Sequence, residues 1–315
     1  MSAPIRDAAT VMLIRDARDG RDEPGLGDGP AIGDGSGIEV CMLRRNLASE
    51  FVAGAYVFPG GSVDPEDRGP EAEALCRGLT DAEASAILGL DSGGLAFWVA
   101  ALRECFEEAG VMLAQRRGTA HPDGELLDTR HPDLAERFAA HRDAVNDGTA
   151  RLLDVCEEEG LVLAADTVHY VSHWITPELA PKRYDTRFFI TAAPPGQVAR
   201  HDDAETIATI WIRPGDALAR QAAGDIELLP PTMTNLRSLE PFRSTGEVMA
   251  WARQVTDVPT VLPVVLFEDG HLLVLRPGDP GYEEALADRA ASGPDIDDDL
   301  SDAARQAWGP KAGTA

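Results

Sequence analysis

Cysteine is scarce in this sequence, and no two cysteines form a C-x-x-C pair. The chain has four in 315 residues: Cys41, Cys76, Cys105 and Cys156. This scattered spacing fits neither a zinc site nor a disulfide framework. We therefore expect reduced thiols, as in a cytoplasmic protein.

Long hydrophobic runs are also missing. Apolar stretches such as residues 261–267 have the length of a strand, whereas a transmembrane helix needs about 20 apolar residues. The first apolar stretch, residues 11–14, is too short for the core of a secretory signal and is soon followed by charge. We expect no membrane span and a cytoplasmic location.

Basic residues are few compared with acidic ones. The chain has 28 Lys and Arg against 54 Asp and Glu, which gives a formal net charge of −26. Such a surface repels polyanions, so we expect neither a nucleic-acid partner nor binding to an anionic membrane. A small phosphorylated substrate would need metal ions and local arginines to overcome this field.

The chain does have enough apolar residues, 44%, for a sizeable core. Predicted strands and helices alternate without a regular βαβ rhythm, which favours an α/β fold with a mixed sheet and helices on its faces. The predicted strands are residues 10–14, 38–43, 55–58, 168–176, 186–192, 206–212, 261–267 and 271–275. The predicted helices are residues 80–88, 95–109, 134–145, 150–158, 214–223, 231–239 and 245–255. The Gly- and Asp-rich residues 18–37 predict a long hairpin loop rather than a calcium site.

The most informative segment runs from Arg103 to Val111. On a helix, Glu104, Glu107 and Glu108 share one face. Crowded carboxylates repel one another, and a hard divalent cation with oxygen ligands, Mg²⁺ or Mn²⁺, removes that penalty. By themselves, the three glutamates also fit an exposed helix face on which Arg103 simply pairs with Glu107 at i+4.

A strand that ends in Phe58-Pro59-Gly60-Gly61 precedes this helix. Together the two segments resemble the ends of the Nudix box, Gly-x5-Glu-x7-Arg-Glu-U-x-Glu-Glu-x-Gly-U, where U is aliphatic. Gly61 is the first glycine and Cys105 takes an aliphatic position. The sequence departs from the box in two ways: Asp67 stands at the first glutamate, and a spacer of 35 residues, 68–102, replaces the usual seven.

A long insertion at this place is similar to that of the coenzyme A diphosphatase-like Nudix proteins of mitochondrial and peroxisomal type. Short stretches along nearly the whole chain add to the resemblance: residues 43–46 (LRRN), 54–61 (GAYVFPGG), 173–177 (HWITP), 183–189 (RYDTRFF), 229–232 (LPPT) and 277–279 (PGD). It implies a Nudix-type α/β/α sandwich with a mixed sheet over residues 1–282. A helical insertion at 68–102, further helices near 133–160 and an acidic, partly disordered tail at 283–315 complete the predicted organisation.

The resemblance also implies roles for the residues of the box. Glu107, Glu108 and the Gly61 carbonyl become metal ligands, Glu104 a ligand or the base, and Arg103 the partner that orients a carboxylate. Glu205 becomes a late ligand or base, with a surface glutamate that caps a strand as the alternative.

Basic and aromatic residues outside the box are the candidates for substrate binding. For a substrate with a diphosphate and a 3′-phosphate, the candidate phosphate ligands are Arg44, Arg45, Arg183 and the neighbouring Lys182. Trp174 and Phe188 are candidates for stacking on adenine or, alternatively, for the core.

The box specifies the bond that is cut and leaves the flanking groups open. Coenzyme A or acyl-CoA is the expected substrate, and ADP-ribose or a dinucleotide is the first alternative. A non-catalytic nucleotide-binding Nudix module is the second alternative, and an acidic α/β protein without a metal site is the third. The oligomeric state does not follow from the sequence.

Overall fold

The computed structural model describes residues 4–17, 37–48, 53–118, 125–178, 180, 182–268 and 271–292. Most of the predicted Gly- and Asp-rich loop and residues 293–315 lie outside this part of the chain. Among the described residues, no helix combines the length and apolar character needed to cross a membrane.

Eight of the described strands form one mixed sheet around the first strand. They are β1 (Ile5–Asp16), β2 (Ile38–Arg45), β3 (Tyr56–Val57), β4 (Gly60–Ser62), β7 (His169–Ile175), β8 (Arg183–Ala192), β9 (Thr206–Ile212) and β10 (Thr260–Val261). β1 pairs in parallel with β8 and antiparallel with β2 and β4. Two smaller pairs are β5 (Ala114–Arg116) with β6 (Leu161–Leu163), and β11 (Val264–Glu268) with β12 (His271–Leu275).

The helices of the described chain follow β4 and lie between and after the later strands. They are α1 (Ala72–Leu75), α2 (Asp81–Leu88), α3 (Leu95–Ala109), α4 (Pro132–Asn146), α5 (Leu152–Glu159), α6 (Pro214–Ala223), α7 (Pro230–Leu239), α8 (Thr245–Ala252) and α9 (Tyr282–Ser292). The predicted mixed α/β sandwich is therefore confirmed.

Alternation along β1 and β2 sends side chains into two cores, one on each face of the sheet. On one face, Leu13 and Leu43 pack with Phe106 and the rest of the apolar side of α3. On the other face, Met12 and Met42 belong to the core that also contains residues of α7 and α8. Each fully buried large side chain contributes roughly 1.5–3 kcal/mol, so α3 is fixed firmly against the sheet.

The start of α3 depends on the helix that precedes it. Thr80 caps α2, the predicted helix at 80–88, in a reciprocal capping box with Glu83. The Asp81 carboxylate then accepts hydrogen bonds from the amides of Gly93, at 2.9 Å, and Leu95, at 3.0 Å. Residues 95–102 of the predicted insertion thus lie in the same helix as the motif glutamates, and the bounds of the insertion stay a prediction.

The end of the described chain also differs from a simple acidic tail. Residues 282–292 form α9. Its first residue, Tyr282, packs in a small core with Val264 of the β11–β12 hairpin, and its hydroxyl donates to the Leu262 carbonyl at 2.8 Å. The division into a domain at 1–282 and a tail at 283–315 stays a prediction.

Candidate active site

Two glycines allow β4 to lie unusually close to its neighbours. A Cβ on Gly60 would lie 2.6 Å from the backbone of Ala9 and of Thr10, and a Cβ on Gly61 would lie 2.4 Å from Oε1 of Glu104. The Pro59 carbonyl accepts a hydrogen bond from the Val11 amide at 2.9 Å. Because Gly60 and Gly61 have no side chains, the β4 backbone can lie directly against β1 and against a carboxylate of α3.

The three predicted carboxylates of α3 come together beside this strand. Glu108 is buried and accepts a hydrogen bond from the Gly60 amide at 2.9 Å. Glu104 and Glu107 each accept from Nη1 of Arg103, at 2.9 and 2.8 Å. Arg103 thus contacts two of the three carboxylates at once, and its orienting role stays a prediction.

Arg103 itself is held from the other side by Asp67, the residue that departs from the box. The two side chains share two hydrogen bonds of 3.0 Å. Asp67 follows Asp64 and Pro65 in a short 3-10 turn, and its carboxylate also accepts from the Asp64 amide at 2.8 Å. Burial raises the pKa of Asp67, and its contacts with Arg103 oppose that rise.

Burial makes the charged form of the α3 carboxylates unfavourable. Burial raises the pKa of Glu104 to about 8 and that of Glu107 to about 7. Repulsion by the Glu107 carboxylate adds to the rise in the pKa of Glu104. The pKa of Glu108 is raised well above its ordinary value, first by burial and then by Glu104. The positive charges of Arg103, beside Glu104 and Glu107, and of Arg45, near Glu108, offset this rise only in part.

The donor set suits a hard cation, because it consists of carboxylate oxygens beside a backbone carbonyl at Gly61. In the described part of the chain, no three acidic, histidine or cysteine side chains are already arranged as a metal-binding group. The reason is local: Arg103 directs Glu104 and Glu107 toward its own Nη1. Each of these contacts uses one carboxylate oxygen, and the chemistry of the donors fits a divalent cation.

Glu205 lies in the same cleft, at the end of the loop that precedes β9. The Asp202 carboxylate accepts hydrogen bonds from the amides of Glu205, at 3.1 Å, and Thr206, at 2.8 Å. Asn46 donates its amide to the Glu205 carbonyl and its Nδ2 to the Ala204 carbonyl, both at 2.9 Å. The negative charge of Glu205 contributes to the raised pKa of both Glu104 and Glu108.

The sequence interpretation had not singled out Asn46 or Asp202 for this role. The run of short polar residues at 202–206, which favours a local side-chain turn, was the available signal for Asp202.

These residues line one cleft of about 1120 Å³. The carboxylates form one wall, Arg45, Lys182 and Tyr184 contribute another, and the turn between α4 and α5 adds a third. Arg45 follows Leu43 by two positions on β2, so both side chains lie on the face of the sheet that carries α3.

The other predicted substrate ligands lie elsewhere. Of the residues that the structure describes, neither Arg44 nor Arg183 lines the cleft. Arg44 alternates to the opposite face from Arg45, and the buried Arg183 donates Nε to the Thr176 carbonyl at 3.1 Å. Trp174 and Phe188 belong to the core that also contains residues of α7 and α8, which agrees with their interpretation as core residues rather than as adenine-stacking residues.

Comparison with known proteins gives a consistent assignment. A sequence model of the NUDT19 Nudix domain matches residues 81–239. The human acyl-coenzyme A diphosphatase NUDT19 (Homo sapiens) is 28% identical over 79% of this chain and 73% of its own length. The chicken protein of the same name (Gallus gallus) is 28% identical over 89% of this chain and 80% of its own length.

A solved structure agrees with these sequence relatives. The Nudix hydrolase from Alicyclobacillus acidocaldarius superposes with a TM-score of 0.57 at 27% identity, over 79% of this chain and 97% of that one. The family match covers half of the chain and includes the whole of α3, and the fold around α3 agrees with it. The chain therefore belongs to the NUDT19 Nudix domain family and is a Nudix hydrolase.

Proposed function

We propose that this Nudix hydrolase cuts the diphosphate bridge of coenzyme A or acyl-CoA with the help of Mg²⁺ or Mn²⁺. The products are 4′-phosphopantetheine, or its acyl form, and adenosine 3′,5′-bisphosphate. The observation that carries the proposal is the set of three α3 carboxylates, two buried and one half-buried, that lie together beside the Gly61 backbone and whose pKa values are all raised. The name of the human and chicken relatives, acyl-coenzyme A diphosphatase, supports the substrate class.

Glu104, Glu107, Glu108 and the Gly61 carbonyl would hold the cations. When bound, the cations lower the pKa of water and neutralise charge on the phosphate oxygens. Arg103 would orient Glu104 and Glu107 through its Nη1, and its two hydrogen bonds to Asp67 hold the guanidinium in place. Glu205 is the candidate base that accepts the proton of the attacking water.

Arg45 is the best-placed group for the substrate phosphates. Within the described residues, its buried Nε has no hydrogen-bond partner. Its charge acts on Glu108, so the guanidinium lies near the reacting end of the cleft. Arginine binds phosphate through two parallel hydrogen bonds, and a bound phosphate would give the buried donor a partner. Lys182 lines the same cleft and would add a second positive charge.

The test is hydrolysis of coenzyme A and ADP-ribose, with Mg²⁺ or Mn²⁺, by the wild type, by Glu107→Gln and by Glu136→Gln. Glu136 is exposed on α4 and serves as the matched control. We expect metal-dependent release of adenosine 3′,5′-bisphosphate that Glu107→Gln abolishes and Glu136→Gln retains. Cleavage of ADP-ribose but not of coenzyme A would overturn the proposed substrate. Metal-dependent stabilisation of the fold without any cleavage would favour a binding module.

We keep three further predictions with this proposal: a cytoplasmic location, no nucleic-acid partner and no membrane partner. Fractionation of cells that express the protein checks the location, and recovery in a membrane or chromatin fraction would contradict them.

A further inference from the structure

The carbonyl groups at the end of α3 have an unusual set of partners. A helix leaves its last carbonyls without intrahelical donors. The carbonyls of Cys105 and Phe106 accept from the backbone amides of Val111 and Gly110, and that of Ala109 accepts from the Arg200 amide. The remaining two, of Glu107 and Glu108, therefore need partners from outside the backbone.

One side chain from α4 supplies them. Arg142 donates Nε to the Glu107 carbonyl at 2.7 Å and Nη2 to the Glu108 carbonyl at 2.8 Å. Asn146, one turn further along α4, points its Nδ2 at the same Glu107 carbonyl at 3.5 Å. The backbones of two candidate metal ligands are thus held by the fork of one guanidinium, whose charge also suits the negative end of the helix.

Arg142 also reaches the loop that carries Glu205. Its Nη1 donates to the His201 carbonyl at 3.3 Å. The next residue, Asp202, is the one whose carboxylate holds the Glu205 amide. A single side chain therefore connects the backbone that carries Glu107 and Glu108 to the loop of the candidate base.

We propose that Arg142 is a positioning residue for the diphosphatase reaction: its side chain sets the distance between the α3 carboxylates and Glu205. This inference rests on the proposed function. Lys at this position would keep the charge but not the planar fork, so it could reach only part of the three carbonyls. Replacement by Met removes the charge and all of the donors at similar length.

The experiment compares Arg142→Met and Arg142→Lys with Arg137→Met in the full chain. Arg137 lies on the same helix, half exposed, and pairs with Glu159 at 2.9 Å, so it controls for the loss of an α4 arginine. Three quantities are measured: Mn²⁺ binding by electron paramagnetic resonance, kcat and KM for coenzyme A, and the melting temperature.

For Arg142→Met we expect Mn²⁺ affinity and kcat to fall by about 10–100-fold, the usual effect of losing a group that orients metal ligands. KM should stay near its wild-type value, Arg142→Lys should be intermediate, and Arg137→Met should match the wild type. A lower melting temperature with unchanged Mn²⁺ affinity and kcat would overturn the positioning role. If Arg142→Met does not fold, unchanged Mn²⁺ affinity and kcat in Arg142→Lys would overturn it too. A wild type that neither binds Mn²⁺ nor cleaves coenzyme A would instead overturn the proposed function.

Discussion

The Arg103 guanidinium and the Asp67 carboxylate meet through two hydrogen bonds of 3.0 Å in a buried setting. Asp67 is only 2% exposed. The pair connects the turn after β4 to the motif helix, although its members lie 36 positions apart in the chain. Asp67 therefore meets the arginine of the box despite having a shorter side chain than the glutamate usually found there.

Asp67→Ala should destabilise the protein by about 3–5 kcal/mol, because it leaves part of a buried cation without its partner. It should also lower kcat, since Arg103 would then shift toward Glu104 and Glu107. Urea unfolding and turnover measure the two effects. Asp7→Ala is the control: Asp7 pairs with Arg68 at 2.7 Å at the surface, where loss of an ion pair costs about 0–1 kcal/mol. Equal losses in the two variants would contradict a special role for the buried pair.

The raised pKa values predict how the metal-free protein responds to pH. Glu104 titrates at about 8 in the folded state and near 4.5 when unfolded, so between these values the folded state binds more protons. Its contribution to stability is fully present below pH 4.5 and is lost as the pH rises through about 8. Glu107, at about 7, acts in the same direction.

Melting temperatures from pH 5 to 9, with chelator, should therefore fall more steeply for the wild type than for Glu104→Gln. Saturating Mg²⁺ should reduce the fall in the wild type, because a bound cation favours the ionised carboxylates. Parallel curves for the two proteins without metal would show that Glu104 ionises normally in the fold.

The adjacent glycines of β4 should respond differently to alanine. A Cβ on Gly60 would strike the backbone of β1, which cannot move cheaply, so Gly60→Ala should cost at least about 1–3 kcal/mol of stability. A Cβ on Gly61 would strike the end of the Glu104 side chain, so Gly61→Ala should displace the carboxylate and mainly lower activity. Gly246→Ala is the control, because the nearest contact of a Cβ at that position would be the Ser244 hydroxyl at 3.9 Å, an ordinary van der Waals distance. Loss of stability without loss of activity in Gly61→Ala would contradict the proposed role of Gly61 in the metal site.

Local patterns in the sequence predicted the parts of the site that local structure builds. Helical spacing placed Glu104, Glu107 and Glu108 on one face, and the two glycines marked the strand that faces them. Alternation along β2 could also have separated Arg45, on the α3 face, from Arg44 on the other. The contacts of Arg142 and Asn46 could not be predicted, because they join segments far apart in the chain and no local period encodes them.

Glu205 provides the test of the chemical step. If it takes the proton of the attacking water, Glu205→Gln should lower kcat by about 10²–10⁴-fold with little change in KM. The neighbouring Asp203 is the matched control, because its side chain is 86% exposed and contacts only the rim of the loop through His201 at 3.0 Å. Asp203→Asn should keep wild-type turnover. If Glu205→Gln also keeps it, Glu205 only ends the loop before β9, and one of the α3 carboxylates, with Glu104 first, must serve as the base.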